Sequence, residues 1–66
     1  MTAPIPHLFA DVAAKLEDLH AIAVEGQRDD NAPDMQALLD VHLRSGLVSL
    51  GGTLRAIAIA LEGNRP

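Results

Sequence analysis

Between Leu38 and Leu61 the sequence carries charge at only Asp40, Arg44 and Arg55, with Glu62 just beyond. The rest of that stretch is Leu, Ile, Val, Ala, Gly, Ser and Thr with a single His. A helix of that composition presents more apolar surface than one neighbouring helix covers. The chain is therefore expected to lay this segment against its own N-terminal half on one side and against a separate polypeptide on another.

Two helices joined by one turn are expected in a single all-α domain over 1–66. Helix 1 is placed at about 5–25, the turn at 26–31 and helix 2 at about 32–62. Pro4 and Pro6 suit a helix start, where amide hydrogens have no helical acceptor. Gly26 suits a left-handed closing position. Asn31 is expected to cap helix 2, with Asp34 three residues on as in a capping box. Gly63, Asn64 and Pro66 supply the stop. A short connection makes the helices antiparallel neighbours.

In helix 1, Ile5, Phe9, Val12, Leu16, Leu19 and Ala23 recur at alternating spacings of four and three, one apolar stripe. Asp11, Asp18 and Glu25 fall on its far side, and Asp11 precedes Lys15 by one helical turn. In helix 2, Leu39, Leu43, Leu47, Leu50, Leu54, Ile57 and Leu61 form an arc of large side chains. The expected core of the hairpin is Phe9, Val12, Leu16 and Leu19 against Leu39, Leu43, Leu47, Leu50, Leu54 and Ile57. Ser45, Ser49, Gly52, Ala56 and Ala60 form a second arc of small residues, bordered by Val41, Val48 and Ile59. Ser45, Val48, Ser49, Gly52, Ala56, Ile59 and Ala60 are read as a contact face for another chain. Gly51-Gly52 is expected to leave helix 2 continuous or kinked, the alternative being a break with a third short helix from Thr53 to Glu62 folding back. Helix 2 also outruns helix 1, so Leu54, Ile57, Ile59 and Leu61 are expected to lack an intramolecular cover.

Sixty-six residues bury too little surface to be more than marginally stable alone. There is no Cys to form a disulfide or thiolate site, which leaves self-association as the simplest way to enlarge the core and fits a reducing cytoplasm. The expected assembly is a homodimer of hairpins resembling a four-helix bundle. Net charge is −4 and the five basic residues are scattered, so no stripe exists to neutralise phosphates and nucleic-acid binding is not expected. Phe9 is the one aromatic residue, too little for base stacking or an aromatic cage. The stretch Gly46–Leu61 is apolar but shorter than the ~20 residues a span requires and holds Arg55, so no membrane span is expected. The N-terminal stretch lacks the basic and continuous apolar regions of a signal peptide.

Candidate chemistry is thin. Glu17 and His20 have the i,i+3 spacing used in di-iron carboxylate bundles, but helix 2 supplies only Glu62 as a further glutamate. His42 lies beside the small-residue arc, where paired copies could make a pH-sensitive contact. Glu17, His20 and His42 are thus weak metal candidates beside the plainer reading of boundary and helix-contact side chains. No nucleophile–base pair, phosphate loop or facing carboxylates are present, so neither enzymatic activity nor a cofactor is expected.

The residues VHLRSGLVSLGGTL are similar to the second helix of short helix-hairpin antiactivators of quorum-sensing regulators. The likeness covers part of one helix and assigns no family. The hairpin layout also resembles small chaperones of secretion-needle subunits. The function expected is that of a small homodimeric adaptor, regulator or antiactivator acting through a helix face. A chaperone or subunit for a helical partner and a metal- or ligand-binding bundle are the alternatives.

Overall fold

A computed structural model describes residues 4–64, so Pro66, read above as part of the stop, lies outside the described residues. Helix α1 spans Ile5–Gly26 and helix α2 spans Pro33–Gly63. They pack against each other as an antiparallel hairpin, a rod of 54 × 16 × 15 Å.

Pro4 opens α1 from an extended conformation, and its carbonyl accepts from the amides of His7 and Leu8 at 3.0 and 3.3 Å. Pro33 occupies the first turn of α2, where its missing N–H costs nothing. Asp34 sits in that turn near the positive helix end.

The turn differs from expectation in two ways. Gly26 is not left-handed: no described residue has positive φ, and α1 closes through Gln27 at φ −80° and ψ −9°. Asn31 does not cap α2, because Ala32 holds that position without a side-chain bond. Instead the Asn31 Nδ2 donates to the Glu25 carbonyl at 2.7 Å, satisfying an orphan acceptor at the end of α1. Arg28 adds a guanidinium beside the same helix end, bonded to Glu25 at 3.1 Å and to Asp30 at 2.9 and 3.0 Å.

α2 runs unbroken through Gly51-Gly52. The seam between the helices follows a strict seven-residue repeat. On α1 its least exposed positions are Ile5, Leu8, Val12, Lys15, Leu19 and Ile22; on α2 they are Leu39, Leu43, Gly46, Leu50, Thr53, Ile57 and Ala60, with Ala56 beside them. These alternate by three and four, the spacing that keeps one line of each helix facing the other.

This seam is rotated from the expected one by a residue on each helix. Val12, Leu19, Leu39, Leu43, Leu50 and Ile57 lie in it. Phe9, Leu16, Leu47 and Leu54, expected in the hairpin core, do not: each keeps between 50% and 56% of its surface exposed. Gly46 and Thr53 take the inward places next to Leu47 and Leu54. The reason is spatial. A side chain added at Gly46 would collide with Leu19 Cδ2, so the backbone of α2 approaches α1 there more closely than a leucine allows.

The overhang of α2 also falls differently. Thr53 meets Asp11 and Lys15, so α1 reaches far enough along α2 to bury Ile57 to 6% exposure. Only Leu54, Ile59 and Leu61 of the four residues expected to be uncovered are exposed.

Candidate interaction surface

Two flanks border the seam, and the sequence repeat assigns residues to each. Positions seven apart share a line on a heptad helix. One flank carries the line Asp11, Asp18 and Glu25 of α1 opposite His42, Ser49 and Ala56 of α2. An open groove of about 360 Å³ on this side is lined by Lys15, Asp18, Leu19, Ile22, His42, Ser45, Gly46 and Ser49, which ties the two lines together. The other flank carries Phe9, Leu16 and Ala23 of α1 opposite Asp40, Leu47, Leu54 and Leu61 of α2. Here a second open groove, of about 400 Å³, contains both Ala23 and Asp40 near the turn.

The polar flank is organised at mid-height by a side-chain network. Lys15, at a seam position, donates to Asp11 and to Thr53 Oγ1, the latter at 2.8 Å. Thr53 donates in turn to Asp11 Oδ2 at 2.6 Å. Thr53 is only 7% exposed, and no buried side-chain polar atom among the described residues lacks a partner. The bond from Lys15, then that from Thr53, hold the Asp11 carboxyl below its ordinary value of 3.8, against a smaller opposing effect of desolvation. Asp11 was expected on the far, solvated side; the ridge it occupies is in fact close enough to reach across to α2.

The sign of that effect sets a pH dependence. A carboxyl more acidic in the folded chain than in the unfolded one stabilises the fold above its unfolded value, and the contribution disappears as pH falls through the folded value. Asp30, lowered chiefly by its bond to Arg28, acts in the same direction. The melting temperature is therefore expected to fall as pH is lowered below about 4. Circular dichroism melts of Asp11→Asn should show a shallower acid loss. An acid loss as steep as that of the unmodified chain would remove this role for Asp11.

The residues expected to face another chain are divided by the structure. Ser45, Val48, Ser49, Gly52 and Ile59 are exposed, Val48 at 78% being the most open large apolar side chain among those described. Ala56 and Ala60 are half-buried along the seam, where α1 already covers part of them. A side chain at Gly52 would meet nothing within 4 Å. Glu17 and His20 are exposed on α1, whereas His42 lines the polar groove on α2. The three are not brought together, and no group of three potential metal ligands occurs among the described residues.

The feature missed by reading each helix alone is the apolar flank as a joint surface. Phe9 and Leu16 from α1 and Leu47, Leu54 and Leu61 from α2 are all half exposed, at 50–56%. The signal was present as two parallel seven-residue repeats: 9, 16, 23 and 47, 54, 61. One further property concerns α2 by itself. Pro33–Gly63 contains an 18-residue stretch long and apolar enough to cross a membrane by length and composition alone, a property that core helices of soluble proteins share.

No protein-family model matches the sequence, and no curated protein or solved structure matches it either.

Proposed function

We propose that this chain is a small cytoplasmic interaction protein, an adaptor, regulator or antiactivator that works by presenting a helix face and performs no chemistry. In this reading its working form is a homodimer of hairpins arranged as a four-helix bundle. The observation that carries the proposal is a mismatch between surface and core. A compact monomer of 7.0 kDa exposes roughly 4,000 Å². This chain exposes 5126 Å². The excess, roughly 1,100 Å², reflects the elongated rod and exceeds the ~800 Å² that a standard interface takes from each partner. Meanwhile only Leu19 and Ile57 are buried apolar residues among those described. Two such side chains, at roughly 1.5–3 kcal/mol each, with a seam that is otherwise only partly buried, are a weak counterweight to the entropy of ordering two helices.

Multi-angle light scattering of the purified protein should give twice the chain mass, and the melting temperature should rise with protein concentration, as for any folded state that needs a partner. A single-chain mass with a concentration-independent melt would overturn the proposal. So would partition of the protein into lipid vesicles with α2 protected from protease, the outcome a membrane-spanning α2 would give.

A further inference from the structure

We infer that the apolar flank formed by Phe9, Leu16, Leu47, Leu54 and Leu61 is the face on which a second copy of this chain docks, and that the small-residue face of Ser45, Ser49 and Gly52 stays outside that contact. The inference rests on the homodimer proposed above and adds which surface makes it.

Three observations support this flank; the last two separate it from the small-residue face, whose borders Val41, Val48 and Ile59 are also exposed. The first is area. Each of the five side chains is about half exposed, so together they offer on the order of 500 Å² of apolar surface per copy. Two copies then reach about 1,000 Å², the threshold for a specific interface, before flanking alanines and backbone are included.

The second is charge. The chain carries −4, so two copies repel unless their acids are kept apart. Asp11, Asp18 and Glu25 run along the opposite flank, where Lys15 pairs with Asp11 and Arg28 with Glu25. The apolar flank holds no charge from Leu47 to Leu61, and its one acid, Asp40, lies at the turn end, paired with Arg44 at 3.0 Å. Pairing through this flank turns the α1 acids outward. Pairing through the small-residue face would bring the Asp18 carboxylates of both copies toward one another, with Asp11 and Glu25 offset by their own cations.

The third is phase. In each helix the seam line and the exposed line are adjacent, so the apolar stripe points between the hairpin partner and the direction perpendicular to the hairpin plane. A helix with a neighbour on each of those two sides is a helix of a four-helix bundle.

The absence of cysteine makes the test direct. Leu16 and Ser49 lie at about the same height, near the middle of the hairpin, on opposite flanks. Under any two-fold pairing with full overlap, a mid-height residue in the interface meets the same height of the other copy. Leu16→Cys and Ser49→Cys proteins are treated separately with a short bismaleimide and the covalent dimer is measured. Leu16→Cys is expected to cross-link at least ~10-fold more than Ser49→Cys, as a buried isologous contact requires. If light scattering gives a dimer but Ser49→Cys links as well as or better than Leu16→Cys, the docking face is wrong and the homodimer stands. If the mass is that of one chain, both fall together.

Discussion

Leu54→Glu is expected to weaken self-association at least ~100-fold and to lower the melting temperature. Leu54 is half exposed in the hairpin, and Thr53 beside it holds the seam, so the change leaves intramolecular packing largely untouched. Its effect is felt where two copies meet. Each copy would lose about half the 1.5–3 kcal/mol of a fully buried leucine. Each would also place a carboxylate in an apolar contact, at a cost of several kcal/mol unless it finds a partner. Counted twice in a symmetric dimer, a weakening of at least ~100-fold in the dissociation constant is expected. Val48→Glu is the matched control. Val48 is more exposed than Leu54 and points away from the hairpin, so the same charge there should change the dimer by less than about 0.5 kcal/mol. Sedimentation equilibrium of the two variants decides the matter. Equal weakening, or a larger effect from Val48→Glu, would return the interface to the small-residue face.

The second large effect is expected inside the hairpin, at Gly46. A Cβ there meets Leu19 Cδ2 below van der Waals distance and Leu19 Cγ at 3.4 Å. Leu19 is itself only 8% exposed and has little room to retreat. Gly46→Val should therefore force the helices apart and cost about 2–3 kcal/mol, at the upper end for overpacking, with little return from helix propensity because valine is β-branched. That corresponds to a melting temperature lower by at least ~10 °C in a chain of this size. Gly51→Ala and Gly52→Ala should behave oppositely. Neither added Cβ meets anything within 4 Å, so each substitution should gain up to about 1 kcal/mol of helix propensity and raise the melting temperature by several degrees. Thermal melts of the three variants test the set. A destabilising Gly52→Ala would mean that another helix lies close against that residue.

How far the fold was legible follows from the same residues. Two lines of the seam, Ile5–Val12–Leu19 and Leu43–Leu50–Ile57, are large apolar residues at seven-residue spacing and could be read directly. The accompanying lines could not. On α1 the choice lay between Phe9–Leu16–Ala23 and Leu8–Lys15–Ile22, and a lysine argues against an inward position. Lys15 is nonetheless accommodated there, because its ammonium reaches Thr53 and Asp11 at the seam's edge. On α2 the choice lay between Leu47–Leu54–Leu61 and Gly46–Thr53–Ala60, and hydrophobicity favours the leucines. What decides it is separation: a close crossing at Gly46 admits small residues and turns the leucines outward. The sequence pattern reports that a helix has a wide apolar side. It does not report which part of that side the nearest neighbour takes, because two neighbours share it. The turn chemistry misled for a related reason, since Asn31 has equally suitable backbone targets in the helix before it and the helix after it.

The lysine–threonine–aspartate cluster has a consequence for how the two halves of the chain find their alignment. Sliding α2 by one full repeat in either direction would bring Leu39 or Thr53 to the close crossing at Leu19 in place of Gly46, so packing already resists the error. The slide would set the ammonium and the carboxylate against Gly46 or Ala60, and neither offers a hydroxyl. One oxygen atom, placed once along a repetitive zipper, thus works as an indexing pin beside the glycine notch: the mismatched alignments lose both their fit and their latch.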